Sequence, residues 1–233
     1  MQLQRPLAVV TPTIDGDVLS VLSGADDDFT APQVHALLEA RSVEGVRRAL
    51  QRLTAQGIVT ARSPGHVVLY RLNRDHLAAG AIVALTRLRS ELIERLRTAF
   101  SSWTVAPVCA VLFGSAASGD MRTDSDIDLF VVRPQDADAD DPVWRAQVKS
   151  VEELVSRWTG NDVRVLEYAT TDLNLERPDP VVEDIRRHGI TLSGALPQPR
   201  RRSVGTKRTA NEAVRGKRAQ RSTGEGGAVR QRR

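Results

Sequence analysis

The stretch from residue 108 to residue 132 constrains the fold of this chain more than any other. Residues 108–113, Val-Cys-Ala-Val-Leu-Phe, form a continuous apolar run, the pattern of a strand buried on both faces. Gly114-Ser115 interrupts it, and residues 116–119 are expected to start a short helix. Residues 126–132, Asp-Ile-Asp-Leu-Phe-Val-Val, then read as a second buried strand. Two buried strands need further elements to cover them. The continuation supplies elements of the right kind. Residues 143–158 predict a helix, 163–168 a third strand, and 181–188 a last helix stopped by Gly189.

Polar residues interrupt this apolar frame at one place. Residues i and i+2 of a strand point to one face, so Asp126 and Asp128 project together while Ile127 and Leu129 turn to the core. Two carboxylates on one rigid edge make an oxygen-rich site for Mg²⁺. Two such ions about 4 Å apart clamp the attacking and leaving oxygens of a phosphoryl centre. Gly114 lets backbone approach a phosphate closely, and Ser115 adds a hydroxyl donor at the turn. Asp124 and Ser125 shape the turn into the second strand. Asp136, Asp138 and Asp140 also alternate, but in a polar loop without apolar partners, and read as a solvated acidic loop.

The stretch Leu112-Phe-Gly-Ser-Ala-Ala-Ser-Gly-Asp-Met-Arg-Thr-Asp-Ser-Asp-Ile-Asp-Leu129 resembles the nucleotidyltransferase domain of the DNA polymerase β superfamily in its minimal form. Gly114, Ser115, Asp126 and Asp128 match that family's motif, and Gly119, Asp120, Arg122, Asp124 and Ser125 fit the minimal pattern. Ala116 and Ser118 stand where many minimal members carry arginines, which implies a weaker grip on nucleotide phosphates. The resemblance implies a Mg²⁺ site, two ions in number, and a third carboxylate on a nearby strand. Glu167 is the candidate for that third catalytic and metal-binding carboxylate, and Asp162 is its rival. Many minimal members carry the acid directly after the first strand valine, where this chain has Arg164.

The N-terminal part reads differently. Residues 17–23 and 31–39 predict short helices, with Arg41 in the turn that follows. Ser42 is a good N-cap for a third helix, with Glu44 in its first turn and Gly57 at its end. Residues 58–62 and 67–72 then predict a hairpin. Three helices followed by a hairpin is the order of a winged helix-turn-helix and resembles bacterial winged-helix regulators. In that motif the third helix enters the major groove. Val43, Val46, Leu50 and Leu53 share its inward face. Ser42, Arg48, Gln51, Arg52 and, on the wing, Arg62 are the candidate DNA contacts. Residues 75–100 read as one amphipathic helix with the stripe Leu77, Ala81, Leu85, Leu88, Leu92, Leu96 and Ala99. It serves as a connector, with a homodimer seam as the alternative.

The expected fold class is therefore α+β. Residues 1–74 form a winged helix-turn-helix, 75–103 a long connector helix, 104–196 a polymerase-β-like nucleotidyltransferase domain with a short mixed sheet, and 197–233 a disordered basic tail. The tail holds 12 Lys/Arg and 2 Asp/Glu, so the net charge of +4 conceals an acidic remainder of −6. Such a tail either holds nucleic acid through phosphate contacts or merely solubilises. No apolar run reaches the roughly 20 residues that span a bilayer, and the single Cys109 forms no intrachain disulfide. A cytoplasmic protein without membrane contacts is expected. The expected partners are a nucleoside triphosphate and DNA. Three functions fit: an enzyme moving a nucleoside monophosphate to a hydroxyl acceptor, a transcription regulator that senses nucleotide without turnover, and a toxin–antitoxin component.

Overall fold

The computed structural model describes residues 1–38, 42–173 and 179–197. The expected basic tail beyond Pro197, the end of the second helix at Glu39 and the turn at Arg41 lie outside these residues.

Helices α1 (Ile14–Gly24), α2 (Ala31–Leu38) and α3 (Val43–Ala55) precede strands β1 (Val59–Arg62) and β2 (Leu69–Leu72). Ser42 caps α3 by accepting from the Gly45 N–H at 3.1 Å, a typical N-cap geometry. Val46, Ala49, Leu50 and Leu53 of α3 pack against Val18, Leu22 and Val34 in one core. Strands β1 and β2 pair antiparallel, and Phe29 bridges to Tyr70 of β2 by two 2.8 Å backbone bonds. The hairpin therefore gains a third, one-residue rung from the segment between α1 and α2. The second strand begins two residues later than the apolar run suggests, because Val67 and Val68 are exposed in the turn.

The expected connector helix over 75–103 is not one helix. Residues 73–78 form turns in which Asn73 Oδ1 accepts from the Asp75 N–H and His76 Nδ1 from the Ala78 N–H. Leu77, first in the expected stripe, is fully exposed. The chain then forms α4 (Ala79–Thr86) and α5 (Leu88–Ser101), interrupted at Arg87. The break separates two allegiances. Ala79, Ile82, Val83 and Leu85 pack on the N-terminal core, whereas Leu92, Leu96 and Phe100 pack on a second one.

That second core lies on one face of a four-stranded mixed sheet. Strands β3 (Cys109–Phe113), β4 (Ile127–Arg133), β5 (Val163–Ala169) and β6 (Ile190–Gly194) run in the order β5-β4-β3-β6. β3 pairs antiparallel with β4 and β6, while β4 and β5 are parallel across the crossover helix α7 (Pro142–Thr159). Strand β6 is an edge that the sequence reading did not foresee. Ile127, Leu129 and Val131 face α5 and α7, where Trp144 is fully buried and meets Trp103 edge-on at 5.2 Å. Cys109, Val111, Phe130 and Val132 face the other way, toward Val182 and Ile185 of the helix α8 (Pro180–His188). Cys109 is a packed thiol, and burial pushes its pKa up to about 11.

The first residues of the chain join this α/β part. Leu3 is buried in the α5/α7 core, and Gln4 donates to the Met121 carbonyl. Leu7 belongs to the N-terminal core. The expectation that residues 1–74 form one separate unit is corrected at this point: residues 1–4 strap onto the other core. Among the described residues, no helix is long and apolar enough to cross a membrane.

Candidate active site

The site is built where β3 ends and β4 begins. In the antiparallel register Phe113 lies opposite Asp128, so the turn after β3 meets the carboxylate at the start of β4. Gly114 forms that turn with φ +66 and ψ −152, a backbone region essentially reserved for glycine. A Cβ there would run into the Asp128 carboxylate, so the glycine also makes room for the acid. A short helix α6 (Ser115–Ser118) follows, closed by Gly119 in the left-handed conformation. Ser115 opens this helix, directly after the glycine that faces Asp128.

The loop into β4 is held from inside. Ser125 Oγ accepts from the Arg122 N–H at 2.8 Å, which closes a turn just before Asp126. Asn161 is buried, and its amide donates to the Ser125 carbonyl at 2.9 Å. The sequence reading assigned nothing to Asn161, since between a helix and a strand it resembles any turn residue. Ala116 is fully buried against the α5/α7 core and Ser118 is exposed. From α5, Arg89 reaches the Ala117 carbonyl at 2.8 Å and braces α6.

Asp126 and Asp128 stand on one face, with Asp126 just ahead of the strand. The Asp128 carboxyl is held above the ordinary aspartate range, first by burial and then by the charge of Asp126, with Arg164 opposing. Arg164 is the parallel-register neighbour of Asp128, and its guanidinium meets Asp126 at 2.7 Å.

Glu167 is not part of this constellation. It pairs in register with Val131, three residues beyond Arg164, which is about 10 Å along the strand. By alternation it also lies on the opposite sheet face from Asp128. There it meets Arg133 at 2.9 Å and Arg145 of α7 at 3.6 Å. The expected catalytic and metal-binding role of Glu167 is corrected: it is an ion-pair partner at the far end of β4 and β5. Its rival Asp162 is exposed at the start of β5, its carbonyl accepting from the Ile127 N–H at 2.8 Å. Among the described residues, no three His, Cys, Asp or Glu side chains come together as a metal site.

The candidate DNA contacts lie on the N-terminal part. Arg48, Gln51 and Arg52 are exposed on α3, opposite its buried stripe. Arg48 pairs with Glu44 at 3.1 Å and Arg52 with Asp15 at 3.0 Å, while Arg62 of β1 pairs with Asp28. The Ser42 hydroxyl is engaged as the cap of α3. In this state the arginines are held by acids of the same surface.

Residues 94–193 match the family described as polymerase beta, nucleotidyltransferase. The match takes in β3, α6, β4 and β5, and supports nucleotidyl transfer in general as the activity of this part. The chain has no match among curated proteins. Among solved structures it is similar to a chain of "Crystal structure of the toxin-antitoxin with AMP-PNP". The identity is 21%, over 46% of this chain and 73% of that one, with a TM-score of 0.29.

Proposed function

We propose that this chain is a Mg²⁺-dependent nucleotidyltransferase that moves a nucleoside monophosphate from a nucleoside triphosphate to a hydroxyl acceptor. The observation that carries the reading is the meeting of Asp128 with the Gly114 turn, with Asp126 on the same strand face. The donor set fits a hard cation, because it is two carboxylates on one strand end whose mutual repulsion a bound ion relieves. Asp126 and Asp128 would hold the ion, which supplies positive charge to the phosphate oxygens when bound. Gly114 and Ser115 seat the phosphate chain by close backbone approach and by the Ser115 hydroxyl. Arg164 faces the same space with a planar guanidinium suited to phosphate. The acceptor oxygen forms a bond to the α-phosphorus and the α–β bridging P–O bond breaks. Pyrophosphate leaves with that electron pair, and the hydroxyl proton passes to water. Transfer of label from an α-labelled triphosphate, present in wild type and absent in Asp126→Asn, tests this reading.

The N-terminal part is proposed to be a DNA-binding winged helix. Its support is the order of three helices and a hairpin, the Phe29 rung, and the exposed Arg48, Gln51 and Arg52 on α3. The wing residue Arg62 is placed to meet phosphate. Tying enzyme and reader in one chain brings the transfer site to a nucleic acid or lets nucleotide state bear on DNA binding. A second reading, a nucleotide sensor without turnover, is favoured by Ala116, whose burial leaves no room for the arginine of the minimal pattern. Wild type that binds a labelled triphosphate yet modifies no acceptor, in lysate or purified, supports the sensor.

A further inference from the structure

Three charged side chains share the rim of the site: Asp126, Asp128 and Arg164. The parallel pairing of β4 and β5 sets Arg164 beside Asp128 on the same sheet face. Its side chain is 75% exposed, yet it reaches 2.7 Å from Asp126. Glu167 is spent on Arg133 and Arg145 at the opposite end and opposite face. The described residues bring no third carboxylate, histidine or cysteine to the pair. A site for two divalent ions is therefore at odds with the side chains present.

Building on the nucleotidyl-transfer reading, we propose that Arg164 takes the place of one cation. The Asp126–Asp128 edge holds a single divalent ion, and the Arg164 guanidinium supplies the second positive charge to the triphosphate. Two carboxylates balance one divalent ion. In the nucleotide-free site a second ion beside the guanidinium would meet a net positive charge at a few ångströms. Once a triphosphate is bound, the Arg164 guanidinium already occupies the side of the pair where a further carboxylate would have to hold that ion. Arginine stays charged at every working pH and grips phosphate oxygens through a fork of N–H donors. Nucleotide bound through Arg164 needs less help from metal. The Asp126 contact holds the guanidinium toward the site until phosphate displaces the carboxylate or an ion takes it.

The test counts ions rather than turnover. Mn²⁺ binding to the full chain is followed by electron paramagnetic resonance, with and without a non-hydrolysable ATP analogue. Wild type is expected to saturate at one Mn²⁺ per chain. Arg164→Gln keeps one ion but binds it about tenfold more tightly, because a competing cation is gone. Arg164→Asp, which restores a carboxylate beside Asp128, takes two. In EDTA, wild type binds the analogue about tenfold better than Arg164→Gln does. Arg164 is exposed and fills no core, and melting temperatures taken with Mn²⁺ present check that both variants fold. Two ions on wild type, or none, overturn the proposal. So does an Arg164→Gln within twofold of wild type in both assays, or an Arg164→Asp that stays at one ion. A chain with the expected Mn²⁺ pattern that transfers no nucleotide sinks only the transfer reading and leaves the role of Arg164 standing.

Discussion

Asp128 is in tension with its surroundings, and the tension has a measurable sign. Burial and Asp126 hold its carboxyl above the ordinary range, so the folded state favours the neutral form. The stability this gives is fully present below the unfolded-state pKa and is lost as pH rises through the higher folded value. At neutral pH the ionised carboxylate opposes folding. Asp128→Asn without metal should then melt at or above the wild-type temperature at pH 7, with the gap closing in acid. A lower melting temperature at pH 7 would mean that the carboxylate is structural. Gly114 carries the opposite prediction. Gly114→Ala forces a Cβ into a glycine-only conformation and against Asp128, at a cost of about 1–3 kcal/mol. Thermal denaturation should show a drop of several degrees, and no drop would contradict the turn described. Both residues are legible in the sequence, because strand alternation and a glycine after an apolar run are local signals. Glu167 was misread for the converse reason. Which side chain of β5 stands beside Asp128 is a matter of register between strands, and that rests on the long-range packing of α7, not on any residue near Glu167.

Among elements, α3 bears the sharpest functional test. Its inward face and its cap at Ser42 follow from spacing alone, and the structure has both. Its outward face also carries Glu44, 3.1 Å from Arg48. If α3 enters a major groove, Arg48 must exchange that carboxylate for base edges. Arg48→Ala should then reduce discrimination between a duplex selected from a random pool and a scrambled one by about 1–3 kcal/mol. Glu44→Gln should act in reverse, tightening binding several-fold by freeing the guanidinium and removing a charge that repels phosphate. Anisotropy titrations with labelled duplexes separate the two, and a Glu44→Gln that weakens binding would remove α3 from the interface. Strand β6 and the break between α4 and α5 escaped the sequence reading. Strand β6, Ile-Thr-Leu-Ser-Gly, is too short and mixed to declare itself and exists because the edge of β3 accepts it. The stripe from Leu77 to Ala99 keeps helical spacing across a break, since periodicity records which side chains are apolar and not which core they serve.

Among the described residues, the N-terminal core and the α5/α7 core are joined by α4–α5 and by the strap of residues 1–7, with Leu3 in the α5/α7 core and Leu7 in the N-terminal one. Trp103, Trp144 and Trp158 all pack at the α/β core, so tryptophan fluorescence reports that core alone, whereas far-ultraviolet circular dichroism reports helices of both. Truncating a buried leucine costs about 2–5 kcal/mol. If the cores unfold separately, Leu22→Ala should shift the dichroism midpoint and leave the fluorescence midpoint in place. Leu3→Ala should shift the fluorescence midpoint, because it opens the α/β core. If strap and helices weld the cores into one cooperative unit, either substitution must move both midpoints together. The buried position of Leu3 argues that the strap stabilises the α/β core rather than merely crossing it. Leu3→Ala is therefore the stronger discriminator: a fluorescence midpoint unmoved by it would show that residues 1–4 lie on the surface in solution, and the joint between the cores would then reduce to the α4–α5 break at Arg87.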